Sequence, residues 1–193
     1  MLTPADNDIL TRVGPGTPMG TLMRRYWIPA LLPAELPEPD CAPIRLRLLS
    51  EDLVAWRDTS GRVGIMQQSC PHRGASMFFG RNEEDGLRCV YHGWKFDTEG
   101  TCVDMPNEPA ESNFKHKIRA AAYPTVEQGG VVWVYMGATG LQSPMPQLLS
   151  NLLPTTHTKA WKRHQASNYM QAQGNRIMKG REHGGGTARP TRP

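Results

Sequence analysis

The chain has 193 residues, 22 Lys and Arg against 18 Asp and Glu, and a formal net charge of +4, a length that suits one well-packed domain or one domain plus part of another. The charge is uneven: residues 1–156 carry 14 basic and 17 acidic side chains, and residues 157–193 carry 8 basic ones and the single acid Glu182. With the basic surplus confined to the end, the body has no basic face with interleaved aromatics and does not read as a nucleic-acid module.

The opening MLTPADNDIL is acidic and lacks an apolar core segment, so no secretory signal is expected. No apolar run approaches the ~18 residues that a membrane span needs. A soluble, cytoplasmic protein is expected, with neither membrane nor nucleic acid as partner. In that compartment the four cysteines point to metal or to isolated thiols before disulfides.

Two short helices are predicted first. Thr3 caps and Pro4 begins one, with Asp6 and Asp8 near its N-terminus; Thr17 and Pro18 repeat the start. The proline-rich PALLPAELPEPDCAP, residues 29–43, is expected to be an ordered connector or loop rather than helix. From Ile44 the period becomes two: Ile44, Leu46 and Leu48 alternate with Arg45 and Arg47. LVAW, DTSGR and VGIM read as strand, turn and strand. WKFD, TEG and TCVDM form another hairpin, and residues 118–137 a further pair turning at Gly129-Gly130. Many short strands with Gly, Pro and Asp turns predict an all-β sandwich or barrel-like domain over residues 40–137, after a helical and proline-rich lead-in at 1–39.

Residues 138–172 read as a linker and the start of a further strand and helix. Residues 173–193 then turn to glycine, arginine and proline with no aromatic side chain, which predicts a disordered tail.

The chemistry concentrates in Cys70-Pro71-His72, sixteen intervening residues, and Cys89-Val90-Tyr91-His92. Each of two loops offers one thiolate and one imidazole. One reading is a structural zinc with two Cys and two His. The other is a [2Fe–2S] centre with two Cys on one iron and two His on the other. Zinc modules usually pair like with like in each arm, whereas mixed arms suit a centre in which each loop reaches both irons. Pro71 stiffens the first loop. Gly74 and Gly93 allow close backbone approach, with N–H groups available to cluster sulfurs. Trp94 and Phe96 would wall the site, and with Trp133 and Tyr135 they fall on period-two core positions. Arg73, beside His72, is either a docking contact or a solvated side chain. Cys41 and Cys102 read as small buried thiols.

The stretches CPHRGAS and CVYHGWKF resemble the Rieske motif of aromatic ring-hydroxylating oxygenases. RVGPGTPMGTLMRRYWIPALL and DMPNEPAESNF resemble the oxygenase component of the phthalate dioxygenase group, and the likeness extends over about residues 1–172. The resemblance implies a Rieske [2Fe–2S] domain of antiparallel sheets, with Cys70, His72, Cys89 and His92 as ligands. Respiratory Rieske proteins carry a disulfide across the cluster loops; those positions here are Ala75 and Tyr91, and the serine after His-Gly is Trp94. The lost hydroxyl donor implies a lower reduction potential.

The family also implies a mononuclear non-haem Fe(II) in a two-histidine, one-carboxylate triad, introduced by a D-x-x-H-x4-H stretch. That motif is missing here: no aspartate follows Asp104, His157 and His164 lie seven apart, and Glu182-His183 falls in the tail. A frameshift or truncation of the coding sequence near residue 173 is expected, the alternative being a natural short form. The resemblance implies an oxidoreductase component acting on an aromatic acid such as phthalate. It implies a flavin and iron–sulfur reductase as electron donor and a homo-oligomer, often a trimer. This chain alone is expected to transfer electrons without hydroxylating, and so to hold no catalytic residue; the other reading is a stand-alone Rieske ferredoxin.

Overall fold

The computed structural model describes residues 2–172 apart from 110 and 164. Both N-terminal helices start as their caps dictate. In α1 (Pro4–Thr11) the Thr3 hydroxyl accepts from the Asp6 amide at 3.1 Å, and the Asp6 carboxylate accepts in return from the Thr3 amide and hydroxyl. In α2 (Pro18–Met23) the Thr17 hydroxyl accepts from the Gly20 amide.

Eleven strands follow among the described residues, all paired antiparallel in three sheets. The middle sheet orders β2 (Ile44–Leu48), β3 (Glu51–Arg57), β4 (Val63–Gln67) and β9 (Ala122–Tyr123). A second sheet contains β1 (Trp27–Leu31), β11 (Val131–Tyr135) and β10 (Thr125–Gln128). The third runs β5 (Arg81–Glu83), β6 (Gly86–Arg88), β7 (Lys95–Phe96) and β8 (Cys102–Asp104).

Strand alternation explains the layering. Along the apolar run of β3, Leu53 and Ala55 join one core with Ile65, Leu31, Val132 and Val134. Val54 and Trp56 face the other way and join Met66, Leu87, Phe96, Cys70 and Cys89. A strand buried on both faces needs a continuous apolar run, and LVAW is one. The Trp56 ring packs against residue 64 of β4 because that residue is glycine: a Cβ there would stand 2.5 Å from the ring.

Polar ties join the layers. Arg57, on β3, donates to the carbonyls of Leu36 and Gly61 at 2.8 Å each and to the Glu127 carboxylate on β10 at 2.9 Å. Arg24 donates to the carbonyls of Val13, Gly20 and Leu49 and to the Glu51 carboxylate, which also accepts from the Tyr123 hydroxyl. The N-terminal helices are thereby fastened to the middle sheet. Burial, then the Glu51 contact, pushes the Tyr123 hydroxyl well above the ordinary tyrosine range.

The structure differs from the sequence reading between residues 29 and 43. Trp27–Leu31 is a strand, paired with β11 from Trp27↔Tyr135 to Leu31↔Val132, and Pro33–Glu35 forms a 3₁₀ turn. Pro29 is tolerated because β1 is an edge strand and the register shifts between Pro29 and Leu31. Past residue 157 the described residues include no strand; 169–172 are helical, and the Tyr169 hydroxyl donates to the Leu10 carbonyl. The expectation for residues 173–193 lies outside the described residues. No described helix is long and apolar enough to cross a membrane.

Candidate metal centre

The two loops singled out by spacing are closed by the same pair of backbone bonds. In the first, the Cys70 amide donates to the Ala75 carbonyl at 2.8 Å and the Gly74 amide to the Cys70 carbonyl at 2.9 Å. In the second, the Cys89 amide donates to the Trp94 carbonyl at 2.8 Å and the Gly93 amide to the Cys89 carbonyl at 3.0 Å. Each frame therefore runs from a cysteine to a glycine four residues on. Gly74 has φ +71° and Gly93 has φ +75°, a region that other residues enter only at a cost. The glycine amides themselves close the loops. The backbone amides of His72 and Arg73 favour the anionic form of the Cys70 sulfur.

Cys70 and Cys89 are both 3 % exposed, in the core that also holds Trp56 and Phe96. Burial, against partial relief from the His72 amide, pushes the Cys70 thiol up to about 11; the neighbouring Cys89 pushes in the same upward direction. The histidines lie outside the thiols and are half-buried. Their ring centroids are 4.6 Å apart. The Trp94 indole is stacked on His72, 4.3 Å away and 8° from parallel, and its N–H is anchored on the Asn107 side chain at 2.9 Å. Tyr91, which is exposed, lies 3.8 Å from His92. His72 Nδ1 is buried and has no hydrogen-bond partner among the described residues. Desolvation, then the proximity of His92 and Arg73, lowers the His72 pKa.

The donor set has the chemistry of a two-metal centre. A tetrahedral zinc site gathers four donors around one point. Among the described residues, no three His, Cys, Asp or Glu side chains are grouped to hold one ion. The donors divide into a buried thiol pair and an outer imidazole pair, the division that a cluster with two Cys on one iron and two His on the other requires. The orphaned His72 Nδ1 is a nitrogen without a proton acceptor or donor to engage it, as a ligating atom would be.

Sequence reading missed three supporting side chains: Asn107, which holds Trp94, Tyr91, which covers His92, and Arg88. Arg88 donates to the Gly93 carbonyl and the Asp104 carboxylate at 2.7 Å each and to Glu83 at 2.5 Å. No local pattern sets Arg88 apart from the other arginines. Among the expected residues, Phe96 and Tyr135 are buried core, Trp94 is both core and part of the site, and Trp133 is half-buried. Arg73 is exposed. Cys102 is buried, donates to the Asp104 carbonyl and is pushed up to about 11 by burial; Cys41 is half-buried, and all four cysteines are free. His157 is exposed against Thr156, and His164 lies outside the described residues. A surface cavity of ≈ 830 Å³ on the β4–β9–β10 side is lined by Arg62, Arg119 and Glu127 among others, and by no residue of the two loops.

Comparison with known proteins agrees with this reading. Residues 26–124 match the Rieske [2Fe-2S] domain family. The chain is 54 % identical over 166 residues to the 3-chlorobenzoate-3,4-dioxygenase oxygenase subunit of Comamonas testosteroni, covering 86 % of this chain and 38 % of that protein. It is 56 % identical over 137 residues to the phthalate 4,5-dioxygenase oxygenase subunit of Pseudomonas putida, covering 71 % and 31 %. It thus spans about a third of the length of these relatives. Among solved structures it is similar to dicamba monooxygenase, with TM-score 0.60 and 30 % identity over 69 % of this chain and 40 % of that one. It also resembles the oxygenase of carbazole 1,9a-dioxygenase, solved with its ferredoxin, at TM-score 0.57 and 25 % identity over 71 % and 33 %. Matched over about half its length by the family and framed by the paired cysteine and histidine loops, the chain belongs to the Rieske [2Fe–2S] domain family.

Proposed function

We propose that Cys70 and Cys89 hold one iron of the cluster as thiolates and that His72 and His92 hold the other, His72 through Nδ1. The observation that carries this is the division of the four side chains into an inner thiol pair and an outer imidazole pair. When bound, a cluster of this type supplies reversible one-electron redox chemistry. The protein residues supply the rest. The buried core around Cys70 and Cys89 excludes water from the sulfurs. The thiols must give up their protons when metal binds, and the amides of His72 and Arg73 favour the anionic sulfur at Cys70. His72 and His92 are more exposed than the cysteines, so the imidazole side is the shorter route for an electron to leave, and Trp94 and Tyr91 hold the two rings in place.

The wider role is that of the electron-relay part of an aromatic ring-hydroxylating oxygenase component, acting on an aromatic acid of the phthalate type. The support is the 54–56 % identity to two such oxygenase subunits. A reductase with flavin and iron–sulfur centres is the proposed electron donor; a related oxygenase has been solved with a ferredoxin bound. The full assembly is proposed to be a cytoplasmic homo-oligomer, a trimer, with a mononuclear iron in residues that this chain does not match. Among the described residues no three-donor group is present. For the chain by itself the proposed role is electron transfer without hydroxylation.

The test combines the purified full chain with an NADH-dependent reductase of the phthalate dioxygenase type and phthalate or 3-chlorobenzoate. The cluster's visible bands are expected to bleach on reduction and return in air, with no hydroxylated product. Product formation would overturn the relay-only reading. Failure to bleach with dithionite would overturn the cluster.

A further inference from the structure

Arg88 ends β6 and directly precedes Cys89. Its side chain is 15 % exposed, and it divides its donors among three acceptors from different parts of the fold. Nε donates to Glu83 on β5 at 2.5 Å; Nη1 donates to Asp104 on β8 and to the Gly93 carbonyl, both at 2.7 Å. Arg81 shares Glu83 from the solvent side at 3.3 Å. The Gly93 carbonyl lies between His92 and Trp94, so a bond to it fixes the segment that carries the second imidazole and the indole over the first. The other bonds closing this loop run within it; the one from Arg88 ties it to the sheet. The matching carbonyl of the first loop, that of Gly74, receives no side-chain donor among the described residues.

We propose that Arg88 is a positioning residue for the cluster. Its planar fork, held between Glu83 and Asp104, sets the pose of residues 89–94, and the charge of this trio tunes the reduction potential. This rests on the reading above that Cys89 and His92 are ligands. Lysine would keep the charge but cannot form the fork. Reduction places an extra electron beside the trio. Loss of the cation disfavours that electron, and loss of a carboxylate charge favours it.

The experiment compares the full-length wild type with Arg88→Gln, Arg88→Lys and Asp104→Asn. Iron content, the midpoint potential from a spectroscopic redox titration, and hydrogen exchange at the Cys89 and Gly93 amides are measured. Arg88→Gln is expected to lower the potential and to speed exchange at both amides. Asp104→Asn is expected to raise the potential, a shift of opposite sign that simple loosening of the loop does not produce. Arg88→Lys is expected to restore the potential but not the slow exchange. Potentials and exchange rates equal to wild type in all three variants would overturn the proposal, as would shifts of the same sign in Arg88→Gln and Asp104→Asn. A wild-type chain without iron would instead overturn the ligand assignment, and the exchange rates would still decide whether Arg88 pins the loop.

Discussion

Single side chains in the two loops have costs that can be stated in advance. Gly74 and Gly93 both sit at positive φ. Alanine at either position forces a left-handed backbone that costs about 1–2 kcal/mol. At Gly93 a Cβ would also meet Pro106 at 3.1 Å, whereas at Gly74 it meets nothing within 4 Å. Gly93→Ala is therefore expected to be the more destabilising of the two, as read from urea denaturation of the apo chain; equal losses would contradict the contact. Asn107→Ala leaves the buried Trp94 N–H without its acceptor, and a cost of about 1–3 kcal/mol is expected in the same assay. These residues also show where sequence reading stops. The proposed ligands were legible because cysteine and histidine are rare and their spacing is chemical. Arg88 and Asn107 were not, because their roles depend on what the fold brings beside them from other strands.

Among the secondary elements, the period-two run at Ile44–Leu48 announced its strand and its apolar face, and LVAW announced its strand. The hairpin turning at Gly129-Gly130 is where the sequence placed it. β1 was hidden because Pro29 argues against a strand, and only an edge position beside β11 makes it acceptable. Between β3 and β4 the decisive feature is Gly64 under Trp56. Gly64→Ala is expected to cost about 1–3 kcal/mol through overpacking. Trp56→Phe in the same chain is expected to recover part of that loss, so a double-mutant cycle gives a coupling that exceeds assay error. The third sheet should respond to acid. Arg88 is the first cause holding both the Glu83 and Asp104 carboxyls below the ordinary carboxylate range. As pH falls, the unfolded chain binds these protons first. The stability the two groups contribute is thus complete above the unfolded carboxylate pKa, about 4, and is lost as pH drops through the lower folded values. Unfolding at pH 5 and pH 3 is expected to show that loss in wild type and less of it in Asp104→Asn.

In the whole molecule, three stacked antiparallel sheets produce two cores, and the metal centre grows from one of them. The all-β class followed from strand period and turn residues, but the order of strands within each sheet did not, because pairings such as β1 with β11 join residues a hundred positions apart. The centre's identity followed from the mixed loops and the likeness they carry. The central claim is that the inner thiols and outer imidazoles hold two different irons. It is tested most directly by metal and sulfide analysis of the purified full chain, with Mössbauer spectroscopy of the oxidised, iron-57-enriched protein. The expected result is iron and acid-labile sulfide at about two of each per chain, with two iron environments in equal proportion. One zinc per chain, or a single iron environment, would contradict it.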